Sequence, residues 1–299
     1  MKLIQELQKC PQIISVEQVS IVTDILPKKS QSEAVETCRL VTVLRVVYWA
    51  KKLKVVGYLV VPKRKKNLPV IVHLRGGGRD FSMLESKSLY LHMVRFAAEG
   101  YVVVAPQYPG VEGGEGSDGF GSVEDMASIT AWKKIIEYIP QADARRIGAK
   151  GHSRGGLMVY MLLREVSWLR AAVIGAAPTD QFLLRNTRSG WRKHQVSLWG
   201  TSKEEMLRRS PLRWVADLPT NVPLLIVHGS SDWRVSADQG LKMSQELFKS
   251  KVPHRFILYE GADHGITDFR REHYRQTVEW FNRYVRDGVP IPRTEPYGD

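Results

Sequence analysis

The pattern of apolar and polar positions changes near residue 68. Before it, two runs rich in β-branched and aromatic residues, VTVLRVVYW (41–49) and LKVVGYLVVP (53–62), flank a short basic turn. Such runs around a short turn predict an antiparallel hairpin. The mixed pattern of residues 1–38 predicts a helix followed by an irregular arm.

From residue 69 onward, short apolar runs alternate with amphipathic segments. The predicted strands are 69–74, 101–106, 146–151, 171–178, 222–229 and 254–261. The predicted helices are 84–100, 122–139, 154–165, 237–250 and about 268–286. This alternation predicts an α/β fold, with a mostly parallel sheet and helices on both faces, following the N-terminal antiparallel hairpin.

Bulk composition limits the classes of protein. The 299 residues are 43% apolar, but no apolar run approaches the roughly 18 residues of a membrane span. The N-terminal residues lack the apolar block of a signal peptide, so we expect a soluble, cytoplasmic protein without a membrane segment. Only Cys10 and Cys38 are present, which gives neither a disulfide framework nor a structural zinc site. We expect no metal and no cofactor.

The net charge of +13 raises the question of nucleic-acid binding. The basic residues are spread along the chain, and no zinc-finger, basic-zipper or RNP signature occurs. Nucleic acid is therefore not an expected partner.

The segment IGAKGHSRGGLMVY (147–160) places Ser153 between Gly151 and Gly155. It lies between a predicted strand and a predicted helix, as a nucleophile elbow requires. Side chains at the two glycines would collide with neighbouring backbone in such a turn. A helix starting behind the serine would aim N–H groups at a developing oxyanion, with the Arg154 amide as first donor. The alternative is a tight packing turn in which the serine has no catalytic role.

A nucleophilic serine needs a base and an acid that orients it. Asp232 follows the strand at 222–229, and His264 follows the strand at 254–261. Both would therefore stand at the carboxyl edge of a parallel sheet. The order Ser153, Asp232, His264 is that of the α/β-hydrolase triad.

Other titratable residues compete for these roles. Asp263 adjoins His264 and is not expected to reach its ring, and Asp180 follows an earlier strand. His228 and His73 lie within strand patterns typical of core histidines. His152, beside the nucleophile, is expected to point to the opposite side of the chain and to make a structural hydrogen bond.

Two glycine-rich stretches call for interpretation. VHLRGGGRDF (72–81) follows a strand where α/β hydrolases build a second oxyanion donor. A phosphate cradle would need a following Lys-Ser or Lys-Thr, which is absent. A GxGxxG pattern at residues 114–119 contains Glu115 and Asp118, which would repel a pyrophosphate.

Five segments together carry a family resemblance, and they occur in order between about residues 40 and 287: RGGGRDF, YVVVAPQYPGVEGGEGSDGFG with VEDM, ADARRIGAKGHSRGGL, PLLIVHGSSDWRV and GADHG. They resemble the catalytic domain of the prolyl oligopeptidase family of serine hydrolases, which implies an α/β-hydrolase fold. That family often has tyrosine or histidine at the position of Arg75. The resemblance therefore leaves either the Arg75 guanidinium or the Gly76 amide as second oxyanion donor.

Peptidases of this family also carry a β-propeller, whose blades take about 40 to 45 residues each. Only about 40 residues precede the first predicted strand, so the chain resembles stand-alone members. We predict an N-terminal arm at 1–38, a catalytic domain at 39–290 and a tail at 291–299. A cap-like insertion is expected at about 179–214.

These features predict a serine hydrolase that cleaves an ester or amide bond through an acyl-enzyme. The alternatives are a short-peptide aminopeptidase or an acyl-transfer enzyme on the same fold, and a catalytically silent binding protein. The acyl group, the leaving group and the oligomeric state stay open.

The segment 179–214 carries eight cationic residues against Asp180, Glu204 and Glu205. The predicted partner is a small molecule or short peptide, with an anionic substrate as one reading and a solvated basic helix face as the other. The substrate-contact candidates in this segment are Arg185, Trp191 and Trp199.

Overall fold

The computed structural model describes residues 2–295, so Met1 of the predicted arm lies outside it. The described residues form two compact units, which divide between Ile147 and Gly148. The predicted arm, domain and tail limits stay predictions. Residues 296–299 of the predicted tail lie outside the described residues.

Five strands belong wholly to the first unit and are hydrogen-bonded in the order β1-β2-β3-β5-β4. Pairing is antiparallel from β1 to β3 and between β3 and β5, and it is parallel between β4 and β5. The strands are β1 (Ile13–Gln18), β2 (Val41–Ala50), β3 (Leu53–Pro62), β4 (Leu68–Leu74) and β5 (Val102–Pro106).

The predicted hairpin is confirmed, because β2 and β3 pair from Val41 with Pro62 to Ala50 with Leu53. Within the arm predicted as one helix followed by irregular chain, the structure has two additional elements, strand β1 and a second helix at Lys28–Arg39. Neither was predicted from the sequence pattern, and β1 extends the sheet beside β2. The residues of β1 are half-buried or exposed, so it lacks the apolar alternation that marks a strand with one buried face.

The helices of the first unit are α1 (Lys2–Leu7), α2 (Lys28–Arg39), α3 (Ser86–Leu89), α4 (Arg95–Ala98), α5 (Val123–Thr130) and α6 (Trp132–Ile136). A π-helical turn at Tyr90–Val94 joins α3 to α4, so the helix predicted at 84–100 is present. Helix α5 begins with a capping box, in which the side chains of Ser122 and Asp125 each accept a backbone N–H of the other.

A buried tyrosine and tryptophan organise the core of the first unit. Trp132 Nε1 donates to the Tyr48 hydroxyl at 3.1 Å, and that hydroxyl donates to the Ser128 carbonyl at 2.7 Å. Gly57 on β3 leaves the space they need, since a Cβ there would lie 2.8 Å from the Trp132 ring. The polar ends of both rings are therefore satisfied where large apolar areas are buried.

Strand β6 (Ala142–His152) contains the boundary between the units, and three parallel strands follow in the order β7-β8-β9. These are β7 (Leu169–Gly175), β8 (Leu224–Gly229) and β9 (His254–Tyr259). The register pairs Gly175 of β7 with Val227 of β8, and Gly229 of β8 with Tyr259 of β9. The carboxyl ends of the three strands therefore lie at the same edge of the sheet. Loops that follow them start from one edge.

The helices of the second unit are α7 (Arg154–Glu165), α8 (Gln181–Thr187), α9 (Trp191–Trp199), α10 (Lys203–Arg208), α11 (Asp238–Lys249) and α12 (Arg270–Phe281). Helix α7 has the predicted limits. Helices α8 to α10 occupy the segment predicted as a cap-like insertion. A π-helical turn at Asn282–Arg286 continues α12.

Candidate active site

Ser153 stands between the last residue of β6 and the first residue of α7. Its backbone has φ 57° and ψ −125°, a region that non-glycine residues rarely adopt. Its N–H donates to the Gly175 carbonyl at the end of β7, at 2.7 Å. The strained turn is thus fixed by a neighbouring strand.

Glycines make this turn possible. A Cβ on Gly151 would overlap the backbone of Gly155, so the two ends of the turn can approach only without that side chain. A Cβ on Gly156 would lie 2.7 Å from Ala177 Cβ, which shows how closely α7 follows the chain after β7. The sequence expectation of crowding at Gly151 and Gly155 agrees with this contact.

Helix α7 begins directly after Ser153 and runs for twelve residues. N–H groups in the first turn of a helix point along the axis, and the dipole there favours negative charge. The Arg154 amide occupies this first turn, and the residue is buried.

Asp232 and His264 meet through the loops after β8 and β9. His264 Nδ1 lies 2.7 Å from Asp232 Oδ2, and the Asp232 side chain is fully buried. The other carboxylate oxygen accepts the N–H groups of Arg234 and Val235 at 2.8 and 2.9 Å. A Cβ on Gly229 would overlap the Ala262 carbonyl, so the two loops touch through backbone.

Electrostatics keep the Asp232 carboxyl ionised. Burial alone would raise its pKa, but hydrogen bonds with His228 and His264 outweigh burial and hold the pKa well below its usual range. An ionised acceptor at Nδ1 places the ring proton there. The Nε2 of a neutral His264 is then the basic nitrogen.

His228 lies on the other side of this carboxylate. Its Nε2 bonds the Val235 carbonyl at 2.8 Å and stands 3.4 Å from Asp232 Oδ2. It is buried in β8, as its core-histidine pattern predicted.

His152 makes the expected structural hydrogen bond, and its acceptor is the predicted base itself. Its Nε2 lies 2.7 Å from the His264 carbonyl oxygen, and the two rings meet edge to face at 5.1 Å. Desolvation, followed by repulsion from His264, lowers the pKa of His152 to about 3. The neutral ring donates from Nε2 and ties the His264 loop to the residue before Ser153.

Neither competing carboxylate contacts the His264 ring. Asp263 accepts from the Thr267 N–H at 2.8 Å and from its hydroxyl at 2.9 Å. Asp180 caps α8 through the Phe182 N–H at 2.8 Å and pairs with Arg213 at 2.7 Å. The described geometry brings Asp232 alone of the three to the imidazole.

In the first unit, Arg75 follows β4 and is buried inside its own loop. Its guanidinium also lies over the Tyr108 ring at 5.0 Å and 3.7 Å from Asp118. Gly77, at φ 68°, lets the loop turn back. The guanidinium donates five hydrogen bonds of 2.8 to 3.3 Å to backbone carbonyls, those of Gly76, Arg79, Phe81 and twice Gln107.

The three substrate-contact candidates lie among α8 to α10. Trp191 is buried and its ring meets that of Trp199 at 5.8 Å. Arg185 reaches the Met206 sulfur at 3.6 Å. Arg209 lies over Trp199 at 4.8 Å and pairs with Glu205. A substrate role for these residues stays a prediction.

Two further arginines of the second unit were not among the predicted site residues. Arg188, after α8, lies over the Trp191 ring at 4.9 Å, and Arg234 lies over the Trp233 ring at 5.1 Å. Arg234 could have been noticed from its place two residues after Asp232. Arg188 had no such signal, because seven other cations surround it in the segment.

Among residues 2–295, no helix is both long and apolar enough to cross a membrane. The same residues contain no group of three or more His, Cys, Asp or Glu side chains arranged to hold a metal ion.

Comparison with known sequences identifies relatives of this chain. It is 27% identical over 241 residues to the uncharacterized peptidase YtmA of Bacillus subtilis strain 168, which covers 79% of this chain and 91% of that protein. It is 24% identical to dipeptidyl-peptidase 5 of Aspergillus oryzae, over 77% of this chain and 34% of the relative. The chain thus spans about a third of the latter's length.

Among solved structures, acylaminoacyl peptidase of Pyrococcus horikoshii aligns with a TM-score of 0.71 at 22% identity, over 81% of this chain and 42% of that one. This likeness shows the α/β-hydrolase fold. The family model described as "Prolyl oligopeptidase family" matches residues 87–288, more than half of the chain. The chain therefore belongs to the prolyl oligopeptidase family of serine hydrolases.

Proposed function

We propose that Ser153, His264 and Asp232 form the catalytic triad of a serine peptidase that cleaves short peptides through an acyl-enzyme. The observation that carries the proposal is the 2.7 Å contact between His264 Nδ1 and Asp232, in a loop bonded to the residue before Ser153. A strained serine at a helix start, whose preceding residue is bonded to the loop of an oriented imidazole, fits the arrangement that nucleophilic catalysis requires.

In the first step, His264 Nε2 takes the hydroxyl proton as Ser153 Oγ bonds to the substrate carbonyl carbon. Ionised Asp232 stabilises the resulting imidazolium. The tetrahedral intermediate collapses as the bond to the leaving amine breaks, and that amine takes the proton from His264. Water then attacks the acyl-enzyme with the same base, which frees the acid product and Ser153.

The Arg154 amide is the proposed first oxyanion donor, because it stands in the first turn of α7 directly after the nucleophile. Of the two candidates for a second donor, we favour the Gly76 amide. The Arg75 guanidinium already donates five hydrogen bonds inside its own loop, and its use would break some of them.

Family membership favours an amide substrate, and the relatives' names describe peptidases. Ester hydrolysis uses the same steps and stays within the proposal, whereas aminopeptidase specificity or acyl transfer would be set by contacts outside the triad. With only two cysteines, both unbridged, the reducing cytoplasm is the proposed compartment.

A labelling experiment tests the nucleophile. Purified protein is treated with a fluorophosphonate, and the modified residue is identified by peptide mass spectrometry. We expect modification at Ser153 and a loss of turnover of about 10⁴ to 10⁶-fold in Ser153→Ala. The control Ser167→Ala removes an exposed serine of the same unit and should retain full turnover. Comparable turnover by Ser153→Ala and its parent would end the assignment.

A further inference from the structure

The second unit contains a cavity of about 560 Å³ between α8, the short turn at Pro211–Arg213 and α11. Its volume lies within the roughly 300–1,000 Å³ that is usual for small-molecule sites. No residue of the proposed triad lines it, and neither does any of the three substrate-contact candidates. The cavity is therefore a feature that the proposed reaction does not use.

Buried hydrogen bonds join the walls of this cavity. Gln239 on α11 is fully buried, and its Oε1 accepts the N–H groups of Thr179 and Asp180, each at 2.7 Å. Its Nε2 donates to the Asp180 carbonyl at 3.0 Å. The turn is attached to the same segment, since the Leu212 N–H donates to the Thr179 carbonyl at 2.9 Å. The cavity is thus preformed, which lowers the entropic cost of binding a ligand.

Apolar side chains form one side of the cavity. Phe182 and Leu183 lie on α8, Leu212 lies on the turn, and all three are half-buried. The Arg213 guanidinium covers a face of the Phe182 ring at 5.5 Å. Apolar surface that is still partly exposed in a concave site is removed from water when a ligand covers it. The cavity therefore fits a ligand that carries an apolar group.

The charged groups at the cavity are paired, with one exception. Asp180 pairs with Arg213 at 2.7 Å, and Glu246 pairs with Lys249 at 2.7 Å. In the part of the chain that the structure describes, the Lys242 ammonium makes no ion pair and no hydrogen bond. One positive charge is left in excess, which favours a ligand with a single negative charge.

Two amide side chains complete the polar side of the cavity. Asn186 lies on α8 and Gln245 lies on α11, so they approach the cavity from two walls. Neither amide has a hydrogen-bond partner among the described residues. Together with Lys242 they offer donors to one acceptor group. A carboxylate, whose oxygens only accept, is a group of that kind.

We propose that this cavity binds a small carboxylic acid that carries an apolar group, such as an arylalkanoate. Its carboxylate contacts Lys242, and its apolar group covers Phe182 and Leu212. A phosphate ester fits less well, because its second negative charge would lie near Asp180 and Glu246. The inference goes beyond the proposed function and does not depend on it.

Calorimetric titration with 4-phenylbutyrate tests the site. The neutral isostere 4-phenylbutyramide lacks the charge, and butyrate lacks the ring. We expect 4-phenylbutyrate to bind at least about 10-fold more tightly than either. Lys242→Gln should weaken it by about 10-fold and leave binding of the amide unchanged. The control Lys203→Gln removes the same charge from an exposed position outside the cavity and should bind as the parent does.

A leucine pair tests the apolar side. Leu212→Ala should weaken 4-phenylbutyrate by about 5- to 10-fold, because less apolar surface is covered, and should leave the affinity for butyrate unchanged. The control Leu207→Ala shortens a side chain that is 38% exposed and lies outside the cavity. If Leu212→Ala does not fold, Lys242→Gln still decides the question, since Lys242 is exposed on α11.

The inference is overturned if Lys242→Gln and the parent bind 4-phenylbutyrate equally, or if the amide binds as tightly as the acid. Protein labelled at Ser153 with a fluorophosphonate should bind 4-phenylbutyrate like unlabelled protein. Loss of binding after labelling would place the ligand at the proposed catalytic centre and overturn the inference as well. Failure of Ser153 to label would count against the triad alone, because the comparison with Lys242→Gln needs no turnover.

Discussion

The strand ends that carry Ser153, Asp232 and His264 are held by backbone, whereas the segment 179–214 is held by side chains. In the first region, a Cβ on Gly151 or Gly229 would overlap backbone atoms. In the second, three short helices are joined by contacts such as Arg213 with Asp180 and Arg188 with Trp191.

The difference has a physical consequence. A Cβ that overlaps backbone atoms cannot avoid them by a rotamer change. Few amino-acid sequences are therefore compatible with the first region. Ion pairs and ring contacts can be exchanged one at a time at small cost. The chemistry is therefore expected to be fixed where the backbone is crowded, and substrate choice to vary where side chains form the contacts.

The largest expected effect in the first region concerns the proposed acid, Asp232. Asp232→Asn should lower kcat by about 10⁴-fold, because an amide no longer favours the Nδ1 proton or stabilises the imidazolium. Asp263→Asn should cost far less, since Asp263 is bonded to Thr267. Steady-state kinetics of both variants checks the ranking, and a reversed order would mean that Asp263 is the acid.

A pair of glycine substitutions tests the backbone difference itself. Gly151→Ala should lower the free energy of unfolding by at least about 4 kcal/mol, since its Cβ overlaps Gly155 backbone. Gly190→Ala, in the second region, has open space around it and should cost only about 1 kcal/mol for its positive φ. Urea unfolding measures both, and equal losses would remove the distinction between the regions.

Acid should destabilise the protein through its desolvated histidines. Desolvation, first among the causes, lowers the pKa of His152 to about 3 and that of His273 to about 4. The unfolded chain takes up these protons near pH 6.5, so stability falls as the pH drops below that value and until the folded pKa values are reached. Within this pH range, each histidine should lower the free energy of unfolding by roughly 1 kcal/mol for each unit by which the pH falls.

Denaturant unfolding at a series of pH values between 7 and 4.5 measures the slope of the free energy of unfolding against pH. His273→Gln should remove about half of it, and the control His194→Gln, at an exposed position of the second region, should leave it unchanged. A slope that is the same in His273→Gln would show that other groups cause the acid sensitivity.

The smallest effect is expected for an exchangeable contact of the second region. Arg213→Gln breaks the 2.7 Å pair with Asp180, but the Arg213 side chain is 51% exposed and Asp180 keeps its helix-capping bonds. We expect a loss of under about 1 kcal/mol and a fall in Tm of about 1–3 °C. A larger fall would mean that this region is not held by independent contacts.

The same difference explains what the sequence could predict. The elbow, the order of Ser153, Asp232 and His264, and the limits of α7 follow from glycine spacing and strand periodicity, which are local signals. Strand β1 was missed because neither of its faces is buried as an apolar row. The position of Arg188 was out of reach, because it depends on the fold of three short helices without a repeating apolar pattern.

The bond from His152 to the His264 carbonyl couples the positions of the proposed nucleophile, Ser153, and the proposed base, His264. His152 and Ser153 are consecutive residues, so a displacement of the end of β6 carries the serine and the anchor of the histidine loop together. A thermal displacement of this strand end therefore moves Ser153 and the His264 loop together, and the distance between the two residues changes little. The geometry of attack can then be maintained even where the surrounding structure is not rigid.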